Sequence, residues 1–519
     1  MYYPSIFNDA IGPVMRGPSS SHCAAALRIG RMARDLMDGQ IDEVTIDFTP
    51  TGSLATTHAS QGSDMGLFGG LLGWDAVDER LVNSAQAVRD SGIKIDIRIV
   101  EYEADHPNTY RLTLRHKDEV HTLTAISTGG GMIEMQAVDG YAVSMAGDYY
   151  ETLVYLDADG EDAVRAFAQG LQADNIVLHQ TADGAMIEIK AQQFFPDEEL
   201  KQLLAGLKVR SIKHISPVLP VLSRRGMRVP FTTCAEMLEY NEGKDLSLWE
   251  LAADYESARG GLAREQVVAK MVEIVEILER SIQQGVGGTN YADRILGHQS
   301  GQFQERMQSG RLLEGGMLNQ MILNVTALME VKSSMGVIVA APTAGACAGL
   351  PGATIGAART LGLSTEESAR AMLAAGMIGT FIAARSTFAA EVGGCQAETG
   401  SGAGMAAAAL VTLAGGTTRQ AVNAASMALQ NVLGMICDPV ANRVEVPCLG
   451  KNVMAASNAL ACANMALADF DAVVPLDEVI ETMDRVGRSI PAELRCTALG
   501  GLSITKTSKE IERRLQACA

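Results

Sequence analysis

Beyond residue 232 the chain is dominated by long runs of alanine, methionine and leucine, and these runs constrain its fold more than any other feature. Segments such as Met405–Ala414 and Val453–Ala468 carry mostly small and apolar side chains, which favour helices packed closely on one another. Glycine and proline interrupt them at Pro342–Gly352, Gly393–Gly404, Asp438–Gly450 and Ala498–Lys506. Thr233–Ala519 therefore reads as almost wholly helical, with its chemistry in those four loops. The apolar runs are too short or too interrupted to span a membrane.

The first 220 residues read differently. Glu43–Phe48 and Ile93–Val100 alternate as strands do, and Ala24–Leu36 has helical periodicity. Tyr110–Arg115 and Glu119–Ser127 form an expected hairpin around Lys117-Asp118, with glycine-rich loops at Gly66–Gly73 and Gly129–Gly131. Further on come a strand at Thr152–Leu156, a helix at Glu161–Leu171, and strands at Asn175–His179 and Ala185–Lys190 about Asp183-Gly184. A helix at Asp197–Leu207 and a strand at Ser211–Ser216 complete a βαββαβ order, which is ferredoxin-like. At this size the segment is similar to the ACT regulatory module, which pairs with a second copy and binds small amino acids. A spacer domain without a ligand is the alternative. The expected architecture is multi-domain α+β: an α+β domain over residues 1–148, the ACT-like domain over 149–222, and an all-α catalytic domain over 223–519.

Sixty-one acidic against 42 basic residues leave a formal charge of −19, which argues against nonspecific nucleic-acid binding and against docking on an anionic membrane. An anionic substrate in a locally basic pocket stays compatible with it. Met1–Ala10 is polar and aromatic, without the basic and apolar regions of a secretory signal, and nine cysteines without regular spacing do not read as a disulfide framework. The expected compartment is the reducing cytoplasm.

Three of those cysteines, Cys395, Cys437 and Cys448, lie in the interrupting loops with glycine or proline beside them. Thiolate ligands to iron need backbone that turns sharply around a bulky cluster. From residue types alone, small buried filler is the competing reading. Cys23, Cys234, Cys347 and Cys462 have the apolar neighbours of core residues.

Longer motifs bear on that choice. Glu391-Val392-Gly393-Gly394-Cys395-Gln396-Ala397-Glu398, Cys437-Asp438-Pro439-Val440 with Val446-Pro447-Cys448, and Ala341-Pro342-Thr343-Ala344-Gly345 resemble the α part of iron–sulfur L-serine dehydratases. Gly17-Pro18-Ser19-Ser20-Ser21-His22, His106-Pro107-Asn108-Thr109 and Ser127-Thr128-Gly129-Gly130-Gly131 resemble the β part, in the order of the single-chain form. The resemblance implies a [4Fe–4S] cluster on Cys395, Cys437 and Cys448, with one iron open to substrate and no pyridoxal phosphate. Cys518 is a candidate fourth ligand. His22 is the implied base, with His106 beside the reaction; Ser19, Ser20, Ser21, Thr343 and Gly345 are implied substrate contacts. A neutral imidazole titrates near neutrality, which suits His22 to proton transfer. The serines can equally be a helix cap. The resemblance also implies a homodimer, and a β part closing over the helical domain so that both histidines approach the iron.

Three departures bear on the substrate. Relatives of the serine-specific kind carry Gly-His-Gly-Thr-Asp where this chain has Ser60-Gln61-Gly62-Ser63-Asp64, and an acidic residue where it has Cys496. Arg385 replaces the alanine of Asn-Ala-Ser. A guanidinium facing the site would pair with a second carboxylate. The first expectation is L-serine; L-threonine or 2-(hydroxymethyl)glutarate is the alternative. An inactive amino-acid sensor is the alternative of another class.

Overall fold

The computed structural model describes residues 3–17, 19–59, 61–157, 171–181, 184–204 and 208–516. The chain forms two compact units, one of Ser21–Met227 and one of Met1–Ser20 with Arg228–Ala519. It is mixed α/β with a helical C-terminal region, and no helix among the described residues is long and apolar enough to cross a membrane.

Among the described residues, twelve strands are numbered in chain order from β1 (Val14–Arg16) to β12 (Val337–Val339). The unit of residues 21–227 contains two sheets. The larger has the order β3-β2-β4-β5-β6-β7 over Lys94–Ile99, Glu43–Phe48, Thr109–His116, Glu119–Gly129, Met132–Val138 and Tyr141–Met145. Only the β2–β3 pair is parallel; the others are antiparallel, and the β4–β5 hairpin turns at Lys117 as its sequence predicts. Val44, Ile46, Leu112, Leu114 and Leu123 alternate onto one face and pack on Ile29, Met32, Ala33 and Leu36 of the helix Ala25–Leu36.

Gly66–Gly73 is not the expected loop. Residues Ser63–Leu71 form a helix, because their glycines let it lie against Ala25–Leu36 with almost no gap. A Cβ at Gly66 would meet the Cys23 carbonyl at 2.1 Å, and one at Gly70 the Leu27 carbonyl at 2.3 Å.

The smaller sheet is antiparallel throughout, ordered β11-β8-β10-β9 over Val209–Ile215, Tyr150–Leu156, Gly184–Ala191 and Asn175–Thr181. Of its two expected helices, residues 161–170 of the first lie outside the described residues; the second runs Asp197–Leu203. Leu153, Tyr155, Met186 and Ile215 on one face join the core of the larger sheet, so a single core crosses residue 148.

Most of the second unit is helical. Its centre is Ser401–Leu413, buried from Ser401 through Val411; its alanines and glycines let Thr365–Arg385, Gly349–Leu361, Thr418–Gln430 and Cys448–Leu467 pack closely around it. The expected all-α character has one exception. β12 pairs antiparallel with β1, so that the first twenty residues belong to this unit. The same N-terminal segment is anchored by a buried carboxylate: Glu256 accepts from Ser5 Oγ at 2.5 Å and from the Ile6 amide at 2.8 Å.

Glu151 on β8 is fully buried, and neither of its oxygens accepts a hydrogen bond among the described residues. Burial, with Glu188 and Asp148 adding, pushes its carboxyl from 4.5 up to about 8, against the pull of Lys190 Nζ at 3.5 Å. A carboxyl raised on folding favours the native state at low pH and costs stability as pH climbs from its unfolded value towards 8. Glu151→Gln should therefore stabilise the protein by on the order of 2–4 kcal/mol at pH 8 and by under about 1 kcal/mol at pH 5. Urea titrations at both pH values check this.

Candidate active site

The three loop cysteines are brought together in the helical unit. Cys395 follows Gly394, whose φ of +70° and close approach to the Met435 carbonyl (2.9 Å from an added Cβ) leave no room for another residue. The Cys395 sulfur lies 3.3 Å from Thr399 Oγ1. The neighbouring Gln396 is fully buried and bridges three segments. Its amide donates to Met435 O (3.0 Å), its side-chain nitrogen to Met483 O (2.7 Å), and its side-chain oxygen accepts from Gly434 N (2.8 Å). That clamps the Cys395 turn to the stretch leading into Cys437.

Cys437 is fixed from its other side: its N–H donates to Leu494 O at 2.8 Å and its carbonyl accepts from Cys496 N at 3.0 Å. Cys448 is not in a loop. It is the first residue of the helix Cys448–Leu467, because Pro447 ends the preceding segment and suits the helix start. From one turn on, the buried Asn452 donates to Cys448 O (2.8 Å) and Gly345 O (2.9 Å), and accepts from Gly349 N (2.8 Å) and Ala348 N (3.3 Å). Four backbone groups of two segments thus rest on one side chain.

Thr343 and Gly345 border the same place. Thr343 Oγ1 donates to Glu398 Oε1 at 2.7 Å, and a Cβ at Gly345 would lie 3.1 Å from Glu398 Oε2. Burial, and then the charge of Cys395, drive the Glu398 carboxyl up to about 8, so it carries a proton at neutral pH. Lys451 donates to Ile436 O (2.7 Å) and Asp438 Oδ1 (2.9 Å), and Lys332 to Val444 O. The Cys437 thiol hydrogen-bonds to Cys395 and lowers the Cys395 thiol to about 6, helped by Lys451; Cys437 itself moves up. Burial raises Cys448, with Lys332 opposing.

Among the described residues, no three His, Cys, Asp or Glu side chains converge to hold a single metal ion. A multinuclear cluster makes a different demand, since each thiolate binds a separate corner. Three buried, unoxidised cysteines on separate rigid segments, with two lysines facing them, fit that demand. Cys518 lies outside the described residues.

Arg385 is held elsewhere. Its guanidinium pairs with Asp477 at 2.9 Å, and Asp477 also accepts from the amides of Cys234 (3.1 Å) and Ala235 (2.9 Å) at a helix start. It is a tie between helices rather than a free cation.

In the other unit, His22 is buried with Nε2 3.1 Å from Thr57 Oγ1. The Thr57 hydroxyl donates to Ser53 O at 2.6 Å and is placed to accept from His22 Nε2–H. Burial lowers the ring to about 4, well under the neutrality its sequence context suggests. His106 Nδ1 accepts from Asn108 N at 3.1 Å, and Ser53 links to the same loop through Pro107 O (2.9 Å). One short turn, Ser53–Thr57, thus joins the surroundings of both histidines. Ser19 is half-buried and Ser20 buried. Ser21 O accepts from Ser127 Oγ at 2.7 Å. Ser20–Ala24 form a π-helical turn that runs directly into Ala25–Leu36, so the serine run opens that helix.

A family model of the serine dehydratase alpha chain matches residues 243–503, which include every cysteine-site residue described above. The chain belongs to that serine dehydratase family. Among its relatives are the probable L-serine dehydratase alpha chain of Bacillus subtilis (strain 168), 35% identical over 55% of this chain and 95% of that one. The L-serine dehydratase alpha chain of Peptoniphilus asaccharolyticus is 34% identical over 54% of this chain and 97% of its own. The probable L-serine dehydratase beta chain of the same Bacillus is 41% identical over 30% of this chain and 69% of its own. This serine dehydratase therefore fuses beta and alpha parts in one polypeptide.

Sequence reasoning missed Asn452, Glu398 and Gln396 as site residues. Glu398 and Gln396 stand inside the motif around Cys395, where an acid and an amide flanking a candidate ligand were a usable signal; Asn452 had none, being one polar residue in an alanine helix. Asn452→Ala removes four side-chain hydrogen bonds to buried backbone groups and should destabilise the protein by about 3 kcal/mol in urea unfolding. A loss under about 1 kcal/mol would show that the loops hold without it.

Proposed function

We propose that this protein dehydrates and deaminates L-serine to pyruvate and ammonia, using a [4Fe–4S] cluster on Cys395, Cys437 and Cys448. The observation that carries the reading is the assembly of three buried cysteines from distant segments, in a chain similar to proteins named L-serine dehydratase. When bound, the cluster supplies a Lewis-acidic iron that eases departure of the β-hydroxyl. Loss of the Cα proton and the hydroxyl leaves aminoacrylate and water; addition of water then yields pyruvate and ammonia without further enzyme chemistry.

The chain's own residues take the remaining tasks. The His22 ring accepts the Cα proton: it is neutral at working pH because burial keeps it so. His106 orients the substrate. Glu398, protonated at neutral pH, holds Thr343 and keeps a proton beside the cysteine loops. Thr343, Gly345 and the Ser19–Ser21 run bind substrate. The domain division at 148 and 222, the cytoplasmic setting and the homodimer belong to the same reading. The order β11-β8-β10-β9 is that of a ferredoxin-like βαββαβ unit and supports an ACT-like middle domain.

Arg385 no longer favours a dicarboxylate, because Asp477 neutralises it. Assays under argon with L-serine, L-threonine and 2-(hydroxymethyl)glutarate should rank L-serine first, and Arg385→Ala should leave that ranking unchanged. Cluster-replete protein that turns over the glutarate and not L-serine would overturn the substrate. His22→Ala should lower kcat on L-serine by about 10²–10⁴, with little change in KM. Near wild-type kcat would remove His22 from proton transfer.

A further inference from the structure

Cys496, which stands where relatives of the serine-specific kind carry an acid, lies directly against the cysteine site. Residues 437 and 495 form a parallel bridge, flanked by hydrogen bonds from Cys437 N to Leu494 O (2.8 Å) and from Cys496 N to Cys437 O (3.0 Å). The pair so bridged is Cys437 and Arg495; Cys496 is the next residue, tied to Cys437 through its amide bond to the Cys437 carbonyl. Cys496 packs with Cys395, Cys437, Ala390 and Met435 in one small cluster, and its thiol hydrogen-bonds to that of Cys437. Its backbone sits at φ +62°, a left-handed conformation held by the amide bond to Cys437 O. Exposure separates the thiols. Cys395 and Cys437 are 2% and 5% exposed, whereas Cys496 is half-buried and reachable from solvent.

We infer that Cys496 is an oxidation site: it is attacked first by a low-molecular-weight disulfide and then closes a bond to Cys437. In the first step the Cys496 thiolate displaces one thiol from the small disulfide and becomes a mixed disulfide. Cys437, the thiol locked beside it, attacks the Cys496 sulfur and releases the second small thiol. Two cysteine thiols have then lost two electrons and two protons, and the small disulfide has gained both. Cys395 is the less favoured partner, since no backbone hydrogen bond ties it to Cys496. The consequence, which rests on the reading of Cys437 as a cluster ligand, is that the oxidised chain cannot assemble its metal site until reduced.

The test uses the full-length chain freed of iron with a chelator and incubated with oxidised glutathione. Non-reducing peptide mapping should find a cross-link between the peptides of Cys437 and Cys496, two hydrogens lighter than the reduced pair. Cys496→Ser and Cys496→Ala should lack it and form a Cys395–Cys437 link at least tenfold more slowly. On reconstitution with ferrous iron and sulfide, the oxidised wild-type chain should take up less than a tenth of the untreated amount, recovering after reduction. Cys496→Ser treated alike should load as its untreated form does. A lasting glutathione adduct on Cys496 without a cross-link, or a Cys395–Cys437 link at equal rate in all three proteins, overturns the inference. Untreated protein that takes up no iron and sulfide would instead sink the cluster reading, while the peptide map still decides the disulfide.

Discussion

Two buried amides, Gln396 and Asn452, hold the cysteine site together, and its other features depend on them. Helices give this unit rigid axes, but the cysteines stand on short connecting segments that have no ladder of their own. Gln396 fastens the turn of Cys395 to the Gly434–Met435 stretch, and Asn452 fastens the start of the Cys448 helix to the loop of Gly345. A buried amide that meets all its partners is worth more than its individual bonds, because each lost bond leaves a desolvated backbone group behind. The same close packing explains the glycines at 394 and 345. A side chain at 394 would push its turn off the Met435 carbonyl, and one at 345 would crowd the Glu398 carboxyl and Val444.

Charge is the second constraint. Thiolates gathered in a buried place repel one another and need cations near them, and Lys332 and Lys451 are positioned to supply these. Lys332 is fully buried and Lys451 is tied to Asp438, so neither can swing away. Glu398 faces the same thiols and responds as a buried acid must, by keeping its proton. His22 shows the converse: burial strips the proton from a base and leaves it neutral. One physical effect, desolvation, keeps both groups uncharged at neutral pH.

Much of this was legible in the residues, for reasons that differ by element. The alanine runs marked the helical unit because small side chains leave few other ways to build a core. The β4–β5 hairpin was readable from alternation and a two-residue turn. The pairing of β1 with β12 was not, since strands more than three hundred residues apart leave no local trace. Gly66–Gly70 looked like a loop because glycine usually breaks helices; here the absence of side chains is what lets two helices touch. The cysteines were identifiable through their motifs, whereas the amides that place them were not. Arg385 was read as a candidate anion anchor because its partner, Asp477, lies about ninety residues on and is brought close only by the fold.

The claim on which the account turns is that three segments, and not scattered filler cysteines, build one iron–sulfur site. Chemical analysis of anaerobically prepared protein for iron and acid-labile sulfide tests it most directly. The account predicts about four iron and four sulfide per chain in the wild type, and neither in a Cys395→Ala, Cys437→Ala, Cys448→Ala triple variant that still unfolds cooperatively. A triple variant that keeps its iron and sulfide, or a wild-type chain that binds no sulfide, would contradict it.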